Sequence, residues 1–149
     1  MQRPSWDQYF MGIAQQVATR STCDRKLVGA VLVKDRQILS TGYNGSVYGA
    51  PHCDSAGHEL ENGHCVRTVH AEANAIAQAA LHGVITHRST LYVTTIPCYS
   101  CFKLCVNAGV VRIIYKDDYG EDQRVSQGRF LIPGTLSFEI EVKKIEVEK

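Results

Sequence analysis

An α/β fold, with helices laid over a largely buried sheet, is what this chain of 149 residues predicts. Two observations carry the prediction. Segments of strand character occur at 27–33, 37–43, 90–95 and 110–115, and after the first pair they are separated by helical segments, the βαβ alternation that parallel strands require. The separating helices are rich in Ala or amphipathic, so they can lie close on a sheet.

In chain order, Ser5 stands as an N-cap before Trp6-Asp7-Gln8, and Tyr9, Phe10, Ile13, Ala14, Val17 and Ala18 recur at helical spacing, which predicts a helix from Ser5 to about Arg20. Leu27 to Val33 is a continuous apolar run, and Gln37 to Tyr43 follows a polar turn at Lys34-Asp35-Arg36, which reads as a hairpin. From Asn44 to Arg67 the chain turns to Gly, His, Asn, Cys and Glu with no period, a loop of a length usually reserved for function or for a metal clasp. His70 to His82 is an Ala-rich helix stopped by Gly83, Thr90 to Thr95 a strand, Cys98 to Ala108 a helix stopped by Gly109, and Val110 to Tyr115 the next strand. Asp122 to Phe130 reads as a short helix, while Ser137 to Val147 alternates apolar and charged residues like an exposed or edge strand.

Length and composition predict a single domain spanning 1–149. The formal charge of +1, with acids and bases interspersed, gives no field that would call for nucleic acid, although a local basic pocket for a small anion is compatible with it. The sequence has neither a bilayer-length apolar stretch nor a secretion signal, so the expected location is the cytoplasm, with no membrane partner. In a reducing compartment the six cysteines are read first as thiols and metal ligands, with three disulfides as the alternative.

The chemistry is concentrated in His70-Ala71-Glu72 and Pro97-Cys98-Tyr99-Ser100-Cys101. One imidazole and two thiolates leave a tetrahedral zinc with an open fourth position, whereas structural zinc is closed by a fourth protein ligand. Cys98 and Cys101 lie one turn apart at a helix start, where the dipole favours thiolate. Glu72, two residues past His70, is placed to serve a water at the open position as a proton shuttle, the role of the free glutamate in the H-x-E and P-C-x-x-C pattern of zinc deaminases. A closed site with Cys105 as fourth ligand and a redox C-x-x-C pair are the competing readings, the second leaving His70 and Glu72 unexplained.

With these motifs the chain resembles the cytidine deaminase superfamily and, within it, the deoxycytidylate (dCMP) deaminases, from Ser5 to about Tyr119. The likeness is carried by Ser21-Thr22-Cys23-Asp24-Arg25, Val28-Gly29-Ala30, Thr41-Gly42-Tyr43-Asn44-Gly45, the run from Asn62 to Glu72, and Pro97 to Cys101. The resemblance implies a three-layer α/β/α fold around a five-stranded mixed sheet, zinc on His70, Cys98 and Cys101, and Glu72 as proton shuttle. It implies hydrolysis of dCMP to dUMP and ammonia for thymidylate synthesis, in a homo-oligomer, commonly a hexamer, activated by dCTP and inhibited by dTTP, with Mg2+ accompanying only the triphosphate effector. Asn44 would meet the sugar hydroxyl, the Ala71 N–H the pyrimidine carbonyl, and Arg25, Tyr119 and Arg3 the phosphate. For Asn44 a plain turn role before Gly45 stands as the alternative, and for the arginines a solvated surface charge.

Cys23, Cys53 and Cys65, with His52, His58 and His64 in the same aperiodic loop, point to a second, structural zinc that folds the loop over the site. The preferred ligands are Cys23, Cys53, His64 and Cys65, with His58 or His52 as substitutes. The alternative makes the cysteines small buried hydrophobes. Deaminases of cytidine, guanine, a tRNA adenosine or a riboflavin precursor share the zinc chemistry and remain rivals, as does a noncatalytic protein that keeps the fold. Glu72 separates the last from the rest.

Overall fold

The computed structural model describes residues 1–120, 122–130 and 138–147. Its centre is a five-stranded sheet built from β1 (Gly29–Lys34), β2 (Gln37–Tyr43), β3 (Ser89–Thr95), β4 (Val110–Asp117) and β5 (Glu141–Lys144), in the order β2-β1-β3-β4-β5. β1 runs antiparallel to both neighbours, with Ala30 opposite Gly42 on one side and Val93 on the other, whereas β3, β4 and β5 are parallel. Three helices cover it: α1 (Trp6–Ala18), α2 (Ala71–Leu81) and α3 (Tyr99–Asn107).

The β1–β2 hairpin closes through Asp35 and Arg36, both at positive φ (51° and 61°), the pair of left-handed residues that a two-residue hairpin turn needs. Leu39 is the extra residue of a bulge between the Leu32–Ser40 and Val33–Ile38 pairs. β1 is apolar from Gly29 to Val33 because it is covered on both faces. Ala30 and Leu32 pack with Ala71 and Ala75 of α2 and Phe102 and Cys105 of α3, while Val31 and Val33 pack with Phe10, Met11 and Ala14 of α1. That makes the three layers and the mixed sheet expected from the resemblance.

Element positions follow the sequence reading closely. Ser5 caps α1 by accepting from the Gln8 N–H at 3.1 Å. Gly83 and Gly109 end α2 and α3 at φ of 67° and 94°. The short helix expected between Asp122 and Phe130 is one turn, Gln123–Ser126, capped by Asp122. Of the strand expected over Ser137 to Val147, Ser137 lies outside the described residues; Phe138–Glu139 pairs with Arg129–Phe130, and β5 forms a sheet edge.

The topology gathers one end of the sheet. β3 and β4 finish there at Thr95 and Asp117, and β1, being antiparallel, starts there just after Lys26-Leu27-Val28. β2 ends there before Asn44, and the N-termini of α2 and α3 open over the same end, the crevice beyond parallel strand ends where α/β sheets hold ligands.

Candidate active site and metal clusters

His70 and Cys98 each occupy the N-cap position of a helix, α2 and α3 respectively, in extended backbone conformation and without a side-chain capping bond. Residues that normally cap through their side chains are thus replaced by two whose side chains turn to each other. His70 Nδ1 lies 3.6 Å from Cys98 Sγ and 3.4 Å from Cys101 Sγ, and the three donor atoms fall within 4.8 Å of one another. Two thiols and an imidazole at that spacing, under two helix N-termini, match the donor set and open geometry of a catalytic zinc. Hydrogen bonds from Cys101 and His70 pull the Cys98 thiol down to about 4, while the same contact with Cys98 and burial push Cys101 up. The Cys98 contact raises His70. Cys105, the alternative fourth ligand, is fully buried in the core beside Phe102, so the cluster keeps its open side.

Glu72 lies beside the cluster and outside its donor set. Its carboxyl is buried, and burial pushes its pKa above the usual carboxylate range, against the pull of its own backbone N–H and of His70. Glu72 is in the first turn of α2, whose placement is held by Asn74: its amide donates to the Tyr43 carbonyl at 2.8 Å and the Val69 carbonyl at 3.3 Å. Ser40 Oγ adds a bond to the Ala75 carbonyl at 2.8 Å. Sequence reasoning did not single out these two tethers, since an Asn or Ser facing a backbone carbonyl 31 or 35 residues away leaves no local pattern.

A cavity of about 600 Å³ is lined by His70, Ala71, Glu72 and Cys98 together with Val28, Asn44, Thr68, Thr95 and Ile96. Arg25, Lys26, Gly63, His64 and Tyr119 line the same cavity, Arg25 against Gly63 and Lys26 against Tyr119. Most of the expected substrate residues therefore converge. Asn44 is nearly buried, with Oδ1 accepting from Val28 N at 2.8 Å and Nδ2 donating to the Lys26 carbonyl at 2.6 Å, so its amide is locked to the start of β1 while it lines the cavity. Arg25 donates from Nη2 to the Gly63 carbonyl at 2.9 Å, tying two parts of the cavity wall together. Arg3 does not line the cavity. It precedes the N-cap of α1, and α1 covers the opposite face of the sheet from α2 and α3. Lys26 lines the cavity although the sequence reading passed over it; its only signal was adjacency to Arg25 at the head of a strand.

The second cluster corrects one ligand. Cys23, Cys53, His58 and Cys65 bring their donor atoms within 4.8 Å of one another, with Cys23 Sγ to His58 Nδ1 at 3.5 Å and Cys53 Sγ to Cys65 Sγ at 3.7 Å. His64 is not in the set. His64 and Cys65 form one short strand paired with Leu60–Glu61, and neighbouring residues on a strand face opposite ways, so Cys65 turns to the cluster and His64 away from it. Of the two substitutes considered, His58 takes the place and His52 does not. The Asp24 carboxylate stands 3.1 Å from His58 Nε2, which leaves Nδ1 for the sulfurs, the way a carboxylate orients a metal-binding imidazole. Three thiols and one imidazole are a closed, structural zinc donor set.

Comparison with known proteins adds independent findings. Residues 4–117 match the model of the cytidine and deoxycytidylate deaminase zinc-binding region. The chain is 45% identical over 119 residues to ComE operon protein 2 of Bacillus subtilis strain 168, covering 80% of this chain and 63% of that protein's length. It is 43% identical over 127 residues to the deoxycytidylate deaminase of Mycobacterium phage D29, covering 77% of this chain and 97% of that one. The crystal structure of the dCMP deaminase from cyanophage S-TIM5 in complex with dCMP and dUMP superposes with a TM-score of 0.78 at 30% identity, over 97% of this chain and 100% of that chain.

Proposed function

Since the chain belongs to the cytidine and deoxycytidylate deaminase family, we propose that it is a zinc hydrolase that converts dCMP to dUMP and ammonia, the supply of dUMP for thymidylate synthesis. The observation that carries the reading is a single cavity that holds buried Glu72 beside the His70, Cys98 and Cys101 donors and is also lined by Arg25, Lys26, His64 and Tyr119. A nucleoside monophosphate has the matching polarity: a ring to be attacked, a sugar, then an anion. The 30% identical cyanophage enzyme was solved with dCMP and dUMP, which supports the same substrate here.

Zinc held by His70, Cys98 and Cys101 would lower the pKa of a bound water and so supply a nucleophile at neutral pH. The chain's own residues do the rest. The Ala71 N–H, at the first turn of α2, donates to the pyrimidine carbonyl and sets the ring with its amino-bearing carbon toward the metal side. Asn44, its amide fixed by two backbone bonds, offers remaining lone-pair and N–H capacity to the sugar hydroxyl. Glu72 takes one proton from the attacking water and delivers it to the ring nitrogen; it takes the second from the new C–OH and delivers it to the amino nitrogen. The C–N bond then breaks, ammonia leaves and the carbonyl of dUMP forms. Burial of Glu72 keeps this shuttle from exchanging protons with bulk water.

The reading extends to regulation and assembly. A second cavity of about 500 Å³ lies along β2 and α2, lined by Ser46, Tyr48, Asn74, Gln78 and His82 among others, with no Lys or Arg among the described residues around it. A dCTP or dTTP there would need Mg2+ and cations from a second copy of the chain. Exposed Val47, Tyr48, Leu81 and Ile85 provide apolar surface for a homo-oligomer, a hexamer in the fullest form of this reading. The Cys23, Cys53, His58 and Cys65 cluster would hold a structural zinc, and thiol ligands at both sites fit a reducing cytoplasm. Within the described residues no helix is long and apolar enough to cross a membrane. The whole chain acts as one catalytic domain.

The test is ammonia release from dCMP, CMP, deoxycytidine, dCTP and guanine by the zinc-loaded protein beside Glu72→Gln. The reading expects dCMP to be turned over best and the variant to lose at least about 1000-fold in kcat, the loss of a general acid-base group compounded by its use in two steps. Turnover of dCMP no faster than by the variant ends it.

A further inference from the structure

Neither cation that lines the cavity, Arg25 or Lys26, has an ion pair among the described residues. Lys26 is half-buried on the cavity wall, and its Nζ lies 4.0 Å from the centroid of the Tyr119 ring. Burial lowers its pKa and the charge of Asp117 opposes that, so a carboxylate is felt but not contacted. Arg25 differs, because part of its guanidinium is already engaged with the Gly63 carbonyl at 2.9 Å. The backbone of Lys26 is not free to drift either: its carbonyl accepts from the Asn44 amide at 2.6 Å, so the residue that faces the sugar also fixes the residue beyond it.

A phosphomonoester carries a charge of about −1.5 to −2 near pH 7. One guanidinium balances roughly half of that. A contact between an ammonium and a ring face is weaker than a charge-assisted bond to phosphate, so a phosphate that enters between Arg25 and Tyr119 draws the ammonium off the ring. We infer that Lys26 is the second phosphate-binding cation and the residue that makes this site select a nucleotide over a nucleoside, with the Tyr119 ring as its resting place when no phosphate is bound. This rests on the dCMP reading above. A nucleoside leaves Lys26 on Tyr119 and gains nothing from it; a monophosphate gains one salt-bridged bond.

The experiment measures affinities of the zinc-loaded protein for dUMP and for deoxyuridine by titration calorimetry, for wild type, Lys26→Met and Lys26→Arg. The expected result is a loss of about 10- to 100-fold in dUMP affinity for Lys26→Met, the range for a hydrogen bond to a charged partner. Lys26→Arg, which keeps the charge, should stay within about threefold. The dUMP-to-deoxyuridine ratio falls by the same factor in Lys26→Met, and the dependence of log Kd on log salt becomes shallower. Zinc content per chain reports folding, and Lys26→Gln replaces Lys26→Met if the methionine variant loses metal. A wild type selective for dUMP together with an equally selective Lys26→Met overturns the role of Lys26 alone. A wild type that binds deoxyuridine as tightly as dUMP overturns the substrate reading, and the role of Lys26 with it.

Discussion

Gly42→Ala tests whether close contact between β2 and α2 sets the catalytic geometry. Gly42 sits opposite Ala30 on the face of the sheet that α2 covers, and a methyl group there would stand 2.3 Å from both the Ala71 carbonyl oxygen and the Ala75 nitrogen. Ordinary contact begins at 3.4 Å, and both clashing atoms are helix backbone, so no side-chain rotation relieves them. The helix must back away by roughly 1 Å, and a shift of that size in reacting groups costs on the order of 100-fold in rate. It is α2 that positions His70, Ala71 and Glu72. Overpacking should also cost about 1–3 kcal/mol of stability, a melting shift of roughly 3–10 °C for a chain of this size. Gly29 supplies the matched control on the other face. It pairs with Tyr43, the residue after Gly42, and its added methyl would meet the Ala14 carbonyl oxygen at 2.0 Å and the Ala18 nitrogen at 2.5 Å, both on α1. Gly29→Ala should therefore lose comparable stability while its kcat on dCMP, per zinc-loaded folded molecule, stays within about threefold of wild type. Calorimetric melting, zinc analysis and initial rates well below both melting points separate the two effects. A Gly42→Ala protein with wild-type kcat, or a Gly29→Ala protein as slow as Gly42→Ala, refutes the reasoning.

Two further outcomes follow from side chains already placed. His58→Ala should lower bound zinc from two per chain to one, measured by elemental analysis after gel filtration, whereas His64→Ala should keep both ions and instead raise the KM for dCMP, because His64 lines the cavity and lies outside the cluster. Asp7 gives the pH prediction: its carboxylate takes two bonds from Arg112 (2.9 and 2.8 Å) and one from the Tyr92 hydroxyl (2.7 Å), and the Arg112 bonds hold its pKa below 3.8 against the opposing effect of burial. A depressed folded pKa stabilises above the unfolded value and is lost as pH falls through the folded one. Asp7→Asn should thus cost about 1 kcal/mol at neutral pH, the low end for a charge-assisted pair because both partners are about a quarter exposed. In urea titrations the gap between variant and wild type should close as pH drops below about 4.

What the sequence made legible, and what it hid, divides on whether a residue's role is local. β1 and β2 declare themselves because a strand buried on both faces has to be apolar at every position and a two-residue turn has to carry residues able to take positive φ; Leu32 and Asp35 meet those demands within a few residues of chain. The catalytic cluster is legible for the same reason. Cys98 and Cys101 are set by one helical turn, and His70 and Glu72 by two residues, so spacing alone brings all four donors and acids into two pairs. The direction of β5 was not legible, since alternation records which face is buried and says nothing of parallel or antiparallel pairing. Nor was the choice between His58 and His64. Both lie in one loop within reach of Cys65, and what decides between them is that His64 and Cys65 share a strand, a fact created by pairing with Leu60 and Glu61 and absent from composition.

Arg3 and Lys26 show the same limit among the cations, with opposite outcomes. A cation near a chain end and a cation beside another cation look alike as solvated charges. The fold separates them through connectivity: Arg3 leads into α1, on the far face of the sheet, whereas Lys26 leads into β1, whose antiparallel direction starts it at the end where β3 and β4 finish. Reverse β1, and its head would open at the other end of the sheet, carrying Arg25, Lys26 and the partner of Asn44 away from Glu72. The antiparallel strand in an otherwise parallel half-sheet is therefore the feature that puts Arg25 and Lys26 on one cavity with His70 and Glu72, and no single residue of β1 encodes it.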